Sequence, residues 1–401
     1  AMRWIGWILL CFCFVMAYVL RLSAGVLREA LGADFALSAS TFGLMSSMAF
    51  YSYTFMQIPV GVLADSRGVR FTVVWGMLIA GAGALLFAAS PGVWGLYAGR
   101  ILIGAGVAGA FVCTMRFLAN NFSGEIFGTL SGATCFIGNI GAIMAQAPLA
   151  FVVALLTWRV TFSILGGVCL LLAFLAFFLL PPEPQRTGAT SFSLPSLKKG
   201  IASVYSRRGM IALTISYLGT STGFFVISGT WGVSWVSAVT SLDTGPFLAG
   251  LNAAGLMVGV LVAGRVSDRL RSRRKPLIFF AGLQALSWSI FVFFGAFFPA
   301  AVLAPFFFSL GFFGGSLVIY WTVAKELNTT GTTGLSIALI NTAAFLSVAI
   351  LTSLIGFALD WGRALPPAIA YRNAFTLQLA MASVGFFASL FIPESFGKKV
   401  A

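Results

Sequence analysis

The chain has 401 residues, of which 59% are hydrophobic and only 8% charged, and it contains no histidine. Soluble domains carry about 25% charged residues, so a water-facing surface is excluded, as are imidazole acid–base chemistry and His-rich metal sites. The net charge of +14 reads as membrane topology rather than nucleic-acid affinity once the cations are placed along the chain.

A helix that crosses a bilayer needs about 20 apolar residues. Runs of that kind fall at 4–31, 41–63, 71–90, 94–118, 127–149 and 158–180, and, beyond a polar stretch, at 210–236, 246–269, 276–298, 300–325, 334–359 and 372–392. They are continuous rather than alternating, which predicts helices and excludes a β-barrel. The first run is too long for a signal-peptide core and lacks a small-residue cleavage site after it, so it reads as a retained helix. The expected fold is therefore an all-α membrane protein of twelve transmembrane helices. Six lie in residues 1–180 and six in 210–401, joined by a cytoplasmic linker at 181–209 that opens with Pro181-Pro182-Glu183-Pro184. With a cytoplasmic N-terminus, 18 Lys and Arg fall inside, four outside and two within spans. That split follows the positive-inside rule and puts both termini in the cytoplasm. The location expected is a bacterial inner (plasma) membrane, with the chain a monomer surrounded by lipid.

The cysteines Cys11, Cys13, Cys113, Cys135 and Cys169 lie within apolar runs, and Cys11-Phe12-Cys13 lacks the spacing of redox or zinc motifs. They read as small packing residues. Gly104-Ala105-Gly106-Val107-Ala108-Gly109 matches a dinucleotide fingerprint as a string, but it sits inside an apolar span with no strand before it. No cofactor or metal is expected, and no nucleophile–base set supports an enzyme.

Each half repeats one feature after its second run. Gly61-Val62-Leu63-Ala64-Asp65-Ser66-Arg67-Gly68-Val69-Arg70 is echoed by Gly264-Arg265-Val266-Ser267-Asp268-Arg269-Leu270-Arg271, with Gly and Asp offset by 203 residues in both cases. A repeat of half the chain length predicts a duplicated six-helix unit. Asp65 and Arg70 flank a tight turn at the cytoplasmic surface, where a carboxylate can face a helix N-terminus or pair with an arginine. Such a contact can exist in one state and break in another.

These residues carry a resemblance. Gly61, Asp65, Arg67, Gly68 and Arg70 look like the loop motif between helices 2 and 3 of the major facilitator superfamily, and Gly264, Asp268 and Arg269 fall where that family places a weaker copy. Arg100, followed by Gly104 and Gly106, resembles its helix 4 motif. The resemblance implies two pseudo-symmetric six-helix bundles around a central cavity, rocking between inward- and outward-open states. It also implies a gating role for the two loop motifs. The stretch Gly138-Asn139-Ile140-Gly141-Ala142 lacks the proline of the drug exporters' helix 5 motif.

An ionisable residue inside a span is costly and marks a functional position by default. All ten acids fall at loops or run ends, which leaves Arg21 and Arg100 as the charges within spans. By helix rise they lie about 5 and 8 Å from mid-membrane, toward the same side, so their side chains can converge on one ligand. Arginine's planar fork matches carboxylate or phosphate. A helix 1 arginine with a helix 4 arginine is similar to organic-anion transporters of the anion:cation symporter group, although Leu20 stands where that group usually has an acid. Further polar candidates for substrate contact are Tyr18 and Tyr51 in the first half and Tyr217, Tyr320, Trp321 and Asn341 in the second. The expected function is a secondary transporter that moves a small organic anion, a carboxylate, by alternating access. A carrier of an amphipathic drug-like compound or metal chelate is the alternative, favoured by the 41 phenylalanines.

Overall fold

A backbone in lipid has no water to bond, so its N–H and C=O groups must find partners within the segment. The computed structural model describes residues 2–182, 194–329 and 332–397, and among these every regular element is helical. Of the expected linker, residues 183–193 lie outside the described ones. The chain falls into two compact units.

The first unit comprises Ala1–Ser38 and Leu44–Ser191. Its helices are α1 (Met2–Leu22), α2 (Ala24–Phe35), α3 (Ala39–Ala89, of which the first five residues belong to the second unit), α4 (Val93–Val107), α5 (Ala110–Asn121), α6 (Gly124–Met144), α7 (Ala147–Leu156) and α8 (Trp158–Leu179). The 51 residues of α3 would extend about 76 Å at helical rise, over twice a hydrocarbon core. The helix is interrupted at Gly68, whose φ of 86° and ψ of 170° are non-helical. Two of the expected runs therefore join at the motif that separates them. The fifth run extends further than its apolar pattern indicated. Its helices α6 and α7 meet at a 42° bend, where Pro148 in the first turn of α7 has no N–H with which to continue the ladder.

The second unit comprises Ala39–Gly43 and Phe192–Ala401. It contains α9 (Leu194–Tyr205), α10 (Met210–Phe224), α11 (Gly232–Trp235), α12 (Gly245–Arg269), α13 (Arg274–Phe294), α14 (Ala300–Gly314), α15 (Leu317–Glu326), α16 (Thr333–Trp361) and α17 (Pro367–Ser389). Wide π-helical turns at Phe225–Trp231 and Val236–Thr240 flank α11, so the seventh run is one helix with a loosened middle. Within this unit the Asp360 carboxylate accepts from the amides of Ala39 (2.9 Å) and Ser40 (2.8 Å), donors that a helix start leaves unbonded. The α12–α14 seam needs glycine: a Cβ on Gly311 would lie 1.8 Å from the Asn252 carbonyl oxygen.

Among the described residues nine helices are long and apolar enough to cross a bilayer, or ten if the bent α6–α7 pair forms one span. Their outward positions carry Phe151, Phe174, Phe178 and Phe279, each more than half exposed, as lipid solvation requires. The protein is a multi-pass integral membrane protein.

Candidate functional site

In the first unit the chemistry gathers at the end of α1. Helical spacing puts Tyr18 one turn before Arg21 on the same face. The Arg21 guanidinium carbon lies 4.8 Å from the Tyr18 ring centre and 4.4 Å from that of Tyr53 on α3. Arg21 is 2% exposed, so a full positive charge sits between two aromatic faces inside the unit. Ring faces attract a cation most strongly when it is desolvated. The ring reaching across from α3 is that of Tyr53, a residue the sequence reading did not single out. Two residues apart on a helix are about 200° apart around it, and Tyr51 is left half-buried on another face.

Arg100 on α4 is fully buried and spreads its fork over α1 and α3. Nη1 donates to the Leu20 carbonyl (2.8 Å) and the Ser23 hydroxyl (3.3 Å), and Nη2 to the carbonyls of Arg21 (3.2 Å) and Ser46 (3.5 Å). The two arginines do meet, but through the side chain of one and the backbone of the other.

The second unit assembles its four expected residues into one neutral cluster. The Asn341 Oδ1 accepts from the Tyr217 hydroxyl at 2.9 Å and the Trp321 Nε1–H at 3.1 Å. Trp321 Nε1 also lies 3.2 Å from the Tyr217 oxygen. Because an indole N–H only donates, it fixes the amide oxygen on this side and turns the Asn341 NH2 the other way. Tyr320 is fully buried with its ring 5.3 Å from that of Tyr217. Its hydroxyl meets Ser216 at 2.8 Å and Thr220 at 3.0 Å.

The two loop motifs match at a level the sequence did not show. Gly68 has a positive φ of 86°, and Arg271, which lies 203 residues later, has a φ of 46°. A positive φ thus recurs at the repeat position even where glycine does not. Their ion pairs differ. Asp65 pairs with Arg116 of α5, while Arg67 and Arg70 stack on Phe71 (5.4 Å) and Phe177 (4.4 Å). In the second copy Arg273 bridges Asp268 (2.7 Å) and Glu326 (3.1 Å) and stacks on Phe396 (4.7 Å). Gly264 lies beneath on α12, and Arg269 is exposed in its last turn. Glu394, beyond α17, bonds the Ser272 hydroxyl and accepts from the Arg273 amide at 2.8 Å. Burial opposes its charge, but the Ser272 hydroxyl and the amides of Arg273, Phe396 and Arg274 outweigh burial and hold its carboxyl at about 2.

Helices of membrane-spanning length around buried arginines define a class, the membrane carriers. The chain belongs to the Major Facilitator Superfamily, whose profile matches residues 9–352. It is therefore a transporter and not an enzyme. It is 32% identical over 176 residues to the uncharacterized transporter YybO of Bacillus subtilis, covering 44% of this chain and 40% of that one. It is 26% identical to the "probable sulfoacetate transporter SauU" of Cupriavidus necator, covering 96% and 92% of the two chains. It is 22% identical to the D-galactonate transporter of Escherichia coli, over 94% and 93%. The crystal structure of a bacterial homologue of the human lysosomal transporter Spinster superposes with a TM-score of 0.78 at 13% identity, covering 98% of each chain. At that identity the likeness speaks for the fold alone.

Proposed function

We propose that this carrier moves a small organic anion, a carboxylate or a close analogue, across a bacterial inner membrane by alternating access. The observation that carries the reading is Arg21, a guanidinium 2% exposed and held between the rings of Tyr18 and Tyr53. Burying a cation costs several kcal/mol, and such a residue within a span is a binding group by default. Sulfoacetate and D-galactonate, which two full-length relatives are named for, are organic anions and support the reading.

In this reading Arg21 takes the anionic group between Tyr18 and Tyr53, Tyr51 is a further contact candidate on another face of α3, and Tyr217, Tyr320, Trp321 and Asn341 are the second unit's candidates for neutral contacts. Gly61, Asp65, Arg67, Gly68 and Arg70, with Gly264, Asp268 and Arg269, form the conformational hinges, whose ion pairs to Arg116 and Arg273 exchange as the carrier changes state. Twelve spans result when α3 counts as two, α6–α7 as one and α17 is included, with both termini cytoplasmic.

Uptake into proteoliposomes tests this. Sulfoacetate and D-galactonate should be taken up and should compete with each other, while lipophilic cations should not compete. Uptake of the cations and not of the anions would favour an amphipathic-compound carrier instead.

A further inference from the structure

We infer that Arg100 is a positioning residue that braces the end of α1 and so fixes where Arg21 points. The inference rests on the anion reading of Arg21. It assigns Arg100 a task different from contact with the substrate.

The argument starts at Ser23, the single residue between α1 and α2. Its φ of −68° and ψ of −18° are right-handed, so the chain keeps its direction while the hydrogen-bond ladder slackens. At this junction two carbonyl oxygens take donors from a side chain of another helix. The oxygens concerned belong to Leu20 and Arg21. Arg100 answers both from another helix, with Nη1 at 2.8 Å from the Leu20 oxygen and Nη2 at 3.2 Å from the Arg21 oxygen. The Ser23 hydroxyl completes the arrangement: it donates to the Leu20 oxygen at 2.8 Å and accepts from Nη1 at 3.3 Å. A fourth acceptor, the Ser46 oxygen at 3.5 Å, ties in α3, the helix that carries Tyr53.

One guanidinium therefore holds the backbone at Arg21 and the helix that supplies one of its flanking rings. The planar fork is what makes this possible, because several donors diverge in fixed directions. A lysine concentrates its donors on one nitrogen and cannot span acceptors on two helices. With its terminal nitrogens committed to these oxygens, Arg100 acts on the ligand through Arg21.

Two measurements on the purified full chain test this. The first needs no substrate: hydrogen–deuterium exchange of Arg100→Lys and Arg100→Ala. Amides of residues 20–27 should exchange roughly tenfold faster, the factor of about one lost hydrogen bond, with peptides of the second unit unchanged. Unaltered exchange at 20–27 would overturn the bracing. The second is a double-mutant cycle on sulfoacetate and D-galactonate uptake in proteoliposomes. Arg100→Lys should raise KM by about tenfold with Vmax largely kept, and should raise it no further in an Arg21→Lys background. Multiplying effects would make Arg100 a direct ligand contact, and a fall in Vmax alone would leave it a packing residue; either result refutes the inference. If wild type takes up neither anion, it is the anion reading that fails, while the exchange measurement still decides the brace.

Discussion

The two units carry matched loop motifs yet place their charge differently. The first places formal charge in its interior, with Arg21 between tyrosine rings and Arg100 on the carbonyls behind it. The second places neutral donors and acceptors there, with Tyr217, Trp321 and Asn341 sharing one set of hydrogen bonds. At the loops the pattern reverses. At its loop motif the first unit pairs Asp65 with Arg116, whereas the second has Arg273 joining Asp268, Glu326 and the segment of Glu394. Both loops keep a positive φ at positions 203 residues apart, Gly68 and Arg271, while the side chains around them differ. On the proposed reading, the first unit supplies the charge that meets the ligand and the second the larger network of ion pairs at its loop.

This comparison is open to attack from both sides. The largest effect is expected at Arg21. Arg21→Ala should lower kcat/KM for anion uptake by roughly 100-fold or more, since removing one member of a buried charge pair costs ~3–5 kcal/mol. The neutral cluster should yield less. Tyr217→Phe removes the hydroxyl that donates to Asn341 and should raise KM about three- to tenfold with Vmax kept, the range of a single neutral hydrogen bond. A loss as deep as that of Arg21→Ala would end the division between a charged and a neutral half. The hinges should be unequal in stability. Arg273→Ala breaks two ion pairs and a ring contact and should lower the melting temperature by about 2–4 °C. Arg116→Ala, which frees an Asp65 side chain already 69% exposed, should lower it by less.

The smallest effect is a pH dependence. The Glu394 carboxyl is held at about 2 in the folded chain against an ordinary 4.5. Its folded value is depressed, so its contribution is complete above pH 4.5 and disappears as pH falls toward 2. The melting temperature of wild type should exceed that of Glu394→Gln at pH 6, and the gap should close steadily below pH 4.5. A gap that stays constant down to pH 3 would mean the carboxylate has no special stabilisation.

How far the sequence could be read follows from what its patterns encode. Apolar runs report depth, so the all-helical membrane fold and the interior position of Arg21 were legible. Azimuth was not: Tyr51 and Tyr53 lie at nearly the same depth, and only the packing of α3 decides which ring meets Arg21. The partners of Arg100 were hidden for another reason. They are mostly backbone carbonyls, and every residue has a carbonyl, so nothing in the residue types marks them. The same holds for the second hinge. Asp268 and Arg269 were visible as a motif, but Arg273 finds Glu326 53 residues on and Glu394 121 residues on, beyond any local spacing rule. The bend at Pro148 and the loosened middle of the seventh run also depend on neighbours, which apolar pattern does not record.

The central claim, that Arg21 is the charge partner of an organic anion, is met most directly by equilibrium binding to purified protein. D-galactonate and its uncharged amide differ little in shape, so their comparison isolates charge. Wild type should bind the acid and discriminate against the amide, and Arg21→Ala should lose that discrimination. If Arg21→Ala binds the acid as tightly as wild type and still rejects the amide, the assignment of Arg21 is wrong.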